Sequence, residues 1–491
     1  MESASHSRSY GGIIAPTSAT TNTTIQDALA SKLALQRSAF TRGAPDTRSR
    51  IASLRSLLQA VRDRREEFVE AISEDFGGRA REETLLLEVF PLVDTIRHTL
   101  RHLSEWMRPR PAAAGWQFLP GSARVVYQPL GVVGIIGAWN YPLLLTLSPL
   151  AGALAAGNHV MLKPPELTPR TADLVARLIA DLFPSDYVTV VTGGPETGAA
   201  FAALPFDHLL FTGSTRVGKL VMRSASEHLT PVTLELGGKS PVLLHPDFPA
   251  KTAARRIMAG KLYNAGQTCI APDYVLVDAA AREEFARLAA DAAASSYPKL
   301  VDNPDFTRII NRSHYQRLRG LVQDAVLKGA GMLEINPAHE TCNEQNRVFP
   351  PTLLWDLKED MAVMREEIFG PVLPLVTYRS LDEAIAYINA RPRPLALYYF
   401  DYSSQRVDKV LAETVSGGVT LNDTILHIAQ NDLPFGGVGP SGMGSYHGYD
   451  GFLTFSKKKG VFAQSRFTTL GLLRPPYGEL ARRVIGFLIG G

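Results

Sequence analysis

The sequence predicts an α/β protein built on a parallel, doubly wound sheet, with a second α/β region after it. Two observations carry this expectation. Short apolar runs alternate with helical stretches through the middle of the chain, the texture of strand–helix–strand units. Each run also ends in a turn that carries a polar residue or a glycine, at Asn140, Lys163, Gly193 and Gly213. In doubly wound sheets ligands bind at the carboxyl ends of the strands, so the residues just past each run are the ones to read for chemistry. The 491 residues suffice for two or three domains around a large core.

In chain order, residues 1–25 are rich in Ser, Thr and Gly and contain no apolar run of the secretory type, so they read as a disordered arm. Residues 26–110 read as helical, with Leu54, Leu57, Leu58, Val61, Phe68 and Ile72 at helical spacing and Pro109 and Pro111 closing the region. ARVVYQ (123–128) reads as a short strand. GVVGIIGAWN, NHVMLKPPE, YVTVVTGG and DHLLFTGS read as strand-and-turn units, separated by helical stretches such as Thr171 to Phe183 and Glu196 to Ala203. A second α/β region, from about Leu236 to Leu421, holds the strand-like YVLVD, FPPTLLW and GPVLPLVTY, and a Gly-rich loop follows from Asn422 to Gly451.

Composition narrows the function. The net charge is +3 and the basic residues are scattered, so no nucleic-acid-binding stripe stands out. Two cysteines, Cys269 and Cys342, suggest a reducing compartment and leave open whether either is a reactive thiol or a small buried hydrophobe. No apolar run reaches the roughly 18 residues needed to span a bilayer. No residue is assigned to a metal.

Three stretches carry chemistry. FTGSTRVGK (211–219) follows a strand and should open a helix whose N-terminal N–H groups attract a pyrophosphate. It is not a Walker A loop, because Leu220 stands where Ser or Thr would hold magnesium. The only formal G-x-G-x-x-G match is Gly437, Gly439 and Gly442; with Pro434 before it, Pro440 within it and no helical run after it, it reads as a tight structural turn. TLELGGKSP (233–241) places Glu235 in an apolar run, where burial would raise its pKa towards that of a general base; a surface or ion-paired glutamate is the other reading. NAGQTCIAPDY (264–274) sets Cys269 among small polar neighbours, with no local histidine to activate it.

Together with AWNYP, LKPPEL, EEIFGPV and LPFGGVGPSGMGSYHG, all in order, these stretches resemble the aldehyde dehydrogenase superfamily, over nearly all of the chain after about residue 30. GQTCIAPDY and SGMGSYHG look most like its class 3, fatty-aldehyde-type branch.

The resemblance implies a site residue by residue. Cys269 matches the nucleophile, Glu235 the general base, and Asn140 the side-chain donor of the oxyanion hole, with the Cys269 N–H as second donor. Lys163 and Glu166 match the residues that hold the adenosine ribose. Gly213, Ser214, Thr215, Arg216, Val217 and Gly218 match the pyrophosphate turn. Glu367 and Phe369 match the residues that position the nicotinamide ribose and ring, and Trp139 and Leu236 line the cofactor path. Pro165 and Arg216 depart from the usual pattern without removing a functional group.

The implied reaction is NAD-dependent oxidation of an aldehyde to the free acid through a cysteine thioester, with NADP as an alternative cofactor. The substrate reading is apolar: medium- or long-chain, aromatic or isoprenoid, on the expectation that some of Leu143, Leu144, Leu145, Leu147 and Pro149 line a channel. The alternative function is a catalytically silent structural or binding protein that keeps the fold.

The implied domain map assigns 26–110 and 130–235 to the NAD(P)-binding domain and 236–425 to the catalytic domain. It assigns 111–129 and 434–460 to bridging segments of a homodimer, and 461–491 to a tail. The protein reads as cytoplasmic. In the tail, Leu480, Val484, Phe487 and Leu488 fall on one helical face, which either packs on the enzyme's own surface or lies weakly at a membrane interface.

Overall fold

The fold is known from a computed structural model that describes residues 17–468 and 470–490. Its first helix, Thr17–Thr41, buries Leu29 and Leu33 against the sheet residues Val132, Ile136 and Met161. Residues 17–25 are therefore helical, where a disordered arm was expected; the rest of that arm lies outside the described residues. Once the buried anchors fix a helix, extending it through polar residues needs no new nucleus. Asp46 caps the next helix, Thr47–Asp63, through its side chain. The chain breaks at Arg64 and continues as Arg65–Phe76, so the expected apolar stripe spans two helices; Leu54, Leu57, Val61, Phe68 and Ile72 are fully buried. A π turn at Leu85–Val89 leads into the helix Phe90–Trp106.

The strands follow. Strands β1 (Arg110–Ala112) and β2 (Ser122–Pro129) pair antiparallel. Next come β3 (Val132–Ile136), β4 (His159–Lys163), β5 (Val188–Val190), β6 (His208–Thr212) and β7 (Val232–Glu235). These five are parallel, and β3, β4 and β6 are buried along their whole length, as strands covered by helices on both faces must be. The covering helices Pro169–Leu182 and Pro195–Ala202 both open on proline, whose missing N–H costs nothing there. The order β7–β6–β3–β4–β5 reverses between β3 and β6. That reversal is the switch point at which doubly wound sheets bind ligands. The turn after β3 carries Trp139 and Asn140, and the turn after β6 carries Gly213.

The second sheet contains β8 (Pro241–Leu244), β9 (Tyr274–Asp278), β10 (Gly331–Glu334), β11 (Thr352–Trp355), β12 (Val372–Tyr378), β13 (Ala396–Phe400) and β14 (Gly418–Leu421). Its order is β10–β11–β12–β9–β8–β13–β14, with only β10 antiparallel to its neighbour. Cys269 lies on the loop leading into β9, the central strand.

The last two strands return to earlier sheets. Strand β15 (Gly442–Met443) pairs antiparallel with β7, Gly442 opposite Glu235. Strand β16 (Ser456–Ala463) pairs along the whole of β2. The expected bridging segment 434–460 thus divides: its first part clamps the Glu235 strand, and its last part joins β1 and β2 in a three-stranded sheet that runs to Ala463. Gly442 makes the clamp possible. It sits at φ +147°, and a Cβ there would run into the Leu234 carbonyl oxygen. Gly439 and Gly442 bridge each other in the tight turn the sequence suggested.

The tail forms the helix Glu479–Leu488. Leu480 and Phe487 are 57% and 72% exposed, and the contact of Phe487 with Trp116 is edge-on at 6.3 Å. Among the described residues no helix is long and apolar enough to cross a membrane.

Candidate active site

The turn after β3 and the loop before β9 meet across the seam between the two large sheets. Asn140 is buried and its Nδ2 donates to the Gln267 carbonyl at 3.2 Å. The Asn140 carbonyl accepts from Asn264 Nδ2 at 3.0 Å and from Arg79 Nη1 at 3.1 Å. The Tyr141 and Thr268 hydroxyls are 2.6 Å apart. These bonds seat Thr268, and the adjacent Cys269, against the switch point of the first sheet.

The loop itself is strained. Asn264, Ala265 and Gly266 are consecutive left-handed residues, at φ 53°, 51° and 74°. Such a conformation costs roughly 1–3 kcal/mol at a non-glycine residue and persists only where the surroundings over-determine it. Here they do. Glu83 accepts the Asn264 N–H at 3.0 Å, Gln267 Nε2 donates to the Asn264 and Arg308 carbonyls, and Gln267 Oε1 accepts the Ile310 N–H at 2.9 Å. Gly266 is required, because a Cβ would strike the Gly370 carbonyl.

Cys269 is a free thiol on a partly exposed residue. Burial, followed by the charges of Glu367 and Glu235, pushes the thiol up to about 12; its own N–H and that of Ile270 pull the other way by favouring the thiolate. The Tyr398 hydroxyl holds the Ile270 carbonyl. Glu235 ends β7 with 3% exposure, and neither carboxylate oxygen has a hydrogen-bond partner among the described residues. Burial raises it well above the ordinary carboxylate range. Glu367 is pushed up to about 8 by burial and by the charge of Asp273; the Gly238 N–H opposes this, and Oε1 is buried without a hydrogen-bond partner among the described residues. Asp273 is itself paired with Lys239 and accepts the Ile368 N–H at 2.9 Å.

The other sequence-picked residues surround the switch point. Lys163 ends β4 almost fully buried, and its Nζ donates to Glu166 at 2.7 Å at the surface. Ser214 caps the helix Thr215–Ser226, accepting the Val217 N–H, and Thr215 donates to the Pro440 carbonyl at 3.1 Å. Gly213 precedes the cap and Arg216 faces solvent. At Gly218 a Cβ would come within 2.6 Å of Leu236, so glycine lets the helix sit close on the buried Leu236. Trp139 packs edge-on against Phe369 at 5.3 Å and His314 at 5.0 Å, and Phe369 has φ 49°. A helix start, a buried lysine with a rim carboxylate, and an orphaned carboxylate oxygen on Glu367 together form a cradle whose chemistry suits a dinucleotide.

The leucines after AWNYP do not form the expected channel wall. Leu143 and Leu147 are fully buried in the main core, and only Leu144 of the five keeps partial exposure. Helical spacing marks a buried face without saying what covers it. Sequence reasoning also passed over Arg79, Glu83, Glu88, Tyr141 and Asn264, which with Gln267 hold the junction together.

A doubly wound sheet bridged at its switch point to a cysteine-bearing loop defines the class: a dinucleotide-dependent oxidoreductase with a thiol at the junction. The chain belongs to the aldehyde dehydrogenase family, whose model matches residues 2–461. It is 52% identical over 453 residues to a probable coniferyl aldehyde dehydrogenase of Pseudomonas aeruginosa, covering 92% of this chain and 94% of that one. It is 43% identical to aldehyde dehydrogenase family 3 member A2 of Rattus norvegicus, over 84% of this chain and 83% of that one. A solved structure of Staphylococcus aureus AldH in a substrate-bound state superposes with a TM-score of 0.88 at 38% identity, covering 93% of this chain and 99% of that one. The protein is an aldehyde dehydrogenase with class 3 relatives and oxidises aldehydes with NAD(P). The catalytically silent alternative is not favoured.

With the resting thiol pushed up to about 12, alkylation of Cys269 by iodoacetamide in the absence of dinucleotide should be slow at pH 7. It should rise about tenfold per pH unit without levelling off below pH 10, because the thiolate is the nucleophile. A plateau near pH 8, followed by peptide mapping of Cys269, would contradict this electrostatic picture.

Proposed function

We propose that Cys269, Glu235 and Asn140 oxidise an apolar aldehyde, an aromatic one foremost, to the free carboxylic acid through a thioester on Cys269. The Cys269 sulfur adds to the aldehyde carbonyl as its thiolate, the thiol proton having passed to solvent. Asn140 Nδ2 and the Cys269 N–H donate to the oxyanion that develops, and losing one such donor costs roughly 10²–10³ in rate. The bound nicotinamide supplies the hydride acceptor. Glu235 takes the proton from the water that attacks the thioester, and the sulfur departs as thiolate. The observation that carries this reading is Glu235, a buried carboxylate beside Cys269 with no hydrogen-bond partner on either oxygen among the described residues. Such a group destabilises the fold, and a water-activating base gives it a purpose. Resolution by a thiol such as coenzyme A would need no base, so the free acid is the proposed product.

For the dinucleotide, Lys163 and Glu166 hold the adenosine ribose and residues Gly213 to Gly218 hold the pyrophosphate. Glu367 and Phe369 position the nicotinamide, and Trp139 and Leu236 line its path. The Glu166 carboxylate suits a ribose diol and repels a 2′-phosphate, which favours NAD over NADP. For the substrate, the name of the Pseudomonas relative points to conjugated aromatic aldehydes such as coniferyl aldehyde.

A homodimer is proposed from the family resemblance. It is supported by the exposed outer strand β16, whose Lys457, Lys458 and Lys459 face solvent. Weak membrane contact through the tail is supported by the exposed apolar face of Glu479–Leu488. Light scattering should give twice the chain mass at micromolar concentration, and a monomer mass would refute the dimer. A chain ending at Gly478 should float less well with anionic liposomes than the full chain; equal flotation would remove the tail as a contact.

Cys269→Ala should abolish NADH formation at 340 nm while NAD still binds. Glu235→Gln should give a burst of about one NADH per site and then a steady state slowed roughly 10²–10⁴-fold, the usual contribution of a general base. Because the Glu235 pKa is raised, its basic form grows as pH rises, so kcat should climb with pH in the native enzyme and stay flat in Glu235→Gln. Equal loss of burst and steady state would place Glu235 before the thioester instead of after it.

A further inference from the structure

Arg79, Glu83 and Glu88 are buried charges that the catalytic assignment does not use. The Arg79 and Glu88 side chains are both 0% exposed and meet at 2.8 Å. Burying an ion pair costs several kcal/mol of desolvation per ion, and an apolar pair of similar volume often serves a fold equally well. The contacts of this pair lead directly to the active-site junction. Arg79 Nη1 is shared between Glu88 Oε1 and the Asn140 carbonyl, and its guanidinium lies 4.8 Å from the centre of the Tyr141 ring. The other Glu88 oxygen accepts the N–H groups of Leu143 and Leu144 at 2.8 and 3.1 Å, capping the helix that follows the Asn140 turn. Glu83 reaches the opposite side of the seam, where one oxygen accepts the Asn264 N–H at 3.0 Å and the Thr307 hydroxyl at 2.7 Å. Asn264 closes the circuit, its Nδ2 donating to both the Asn140 and Gln267 carbonyls. The π turn at Leu85–Val89 widens the helix at this point. It lets two carboxylates five positions apart both turn inward, each onto one wall of the junction.

We propose that Arg79 and Glu88, with Glu83, are positioning residues for aldehyde oxidation: they lock the Asn140 turn of one sheet to the Asn264–Cys269 loop of the other and so fix the Asn140 amide relative to the sulfur. This rests on the reading of Asn140 as an oxyanion donor. Arg79 acts only through Asn140 and its neighbours, so its removal slows thioester formation even at saturating NAD. A purely structural role would instead lower thermal stability and leave the rate per folded active site intact.

The test is a double-mutant cycle on the rate of the NADH burst, measured at saturating NAD with full-length Arg79→Met, Asn140→Ala and the double variant. Arg79→Met should slow the burst about 10–10²-fold, the usual cost of a misplacement near 1 Å. Asn140→Ala should slow it roughly 10²–10³-fold. The double variant should be no slower than Asn140→Ala alone, because a donor that is absent cannot be misplaced. Arg79→Lys, which keeps the charge opposite Glu88, should recover part of the rate; it enters the same cycle if Arg79→Met does not fold. Multiplicative effects, or a native burst rate in folded Arg79→Met, would overturn the positioning role while leaving Asn140 as the donor. A native burst rate in Asn140→Ala would overturn the donor reading and the positioning role with it.

Discussion

One hydrophobic core runs through both large sheets of this enzyme, and the proposed chemistry lies where a turn of one sheet meets a loop of the other. The hydrogen bonds between Asn140 and the Asn264–Gln267 turn join them. Each bond is worth only about 0.5–1.5 kcal/mol net, but leaving one of these buried groups unpaired costs about 1–3 kcal/mol. The three left-handed residues before Cys269 could not hold their shape without them. The position of Asn140 relative to the Cys269 loop depends on that seam staying closed.

Electrostatics at the seam follow from burial. Glu235 and Glu367 lie close enough to Cys269 to disfavour its thiolate, and all three groups are held towards their neutral forms in the resting enzyme. The backbone N–H groups of Cys269 and Ile270 favour the thiolate. The same acids that suppress the resting thiol are the groups proposed to activate water and to hold the nicotinamide ribose. Suppression and catalysis thus come from one arrangement.

What the sequence disclosed, and what it hid, has a physical basis. Cys269, Glu235 and the Asn140 turn were singled out by the family resemblance of the contiguous stretches that hold them; read alone, the same residues also allowed a buried thiol and a surface or ion-paired glutamate. The parallel sheet was legible from alternating apolar runs, but its strand order, and hence the meeting of Asn140 with Gln267, was not. Arg79, Glu83 and Glu88 were invisible because charged residues in a helical stretch ordinarily face water; only tertiary contacts and a π turn bring them inside. Leu143 and Leu147 took the core position that the sequence also allowed them, since an apolar run does not tell a channel wall from a core. The split of 434–460 between two sheets depends on Gly442 letting two backbones touch, a contact that a turn-like motif does not announce.

The central claim is that Cys269 carries the acyl group and Glu235 releases it. Intact-mass and peptide analysis of Glu235→Gln, quenched after mixing with NAD and an aromatic aldehyde, tests it most directly. The account predicts an adduct on the Cys269 peptide with the mass of the aldehyde less two hydrogen atoms, accumulating as NADH forms and absent from Cys342. NADH formation with no adduct on Cys269, or with the adduct on another residue, would contradict it.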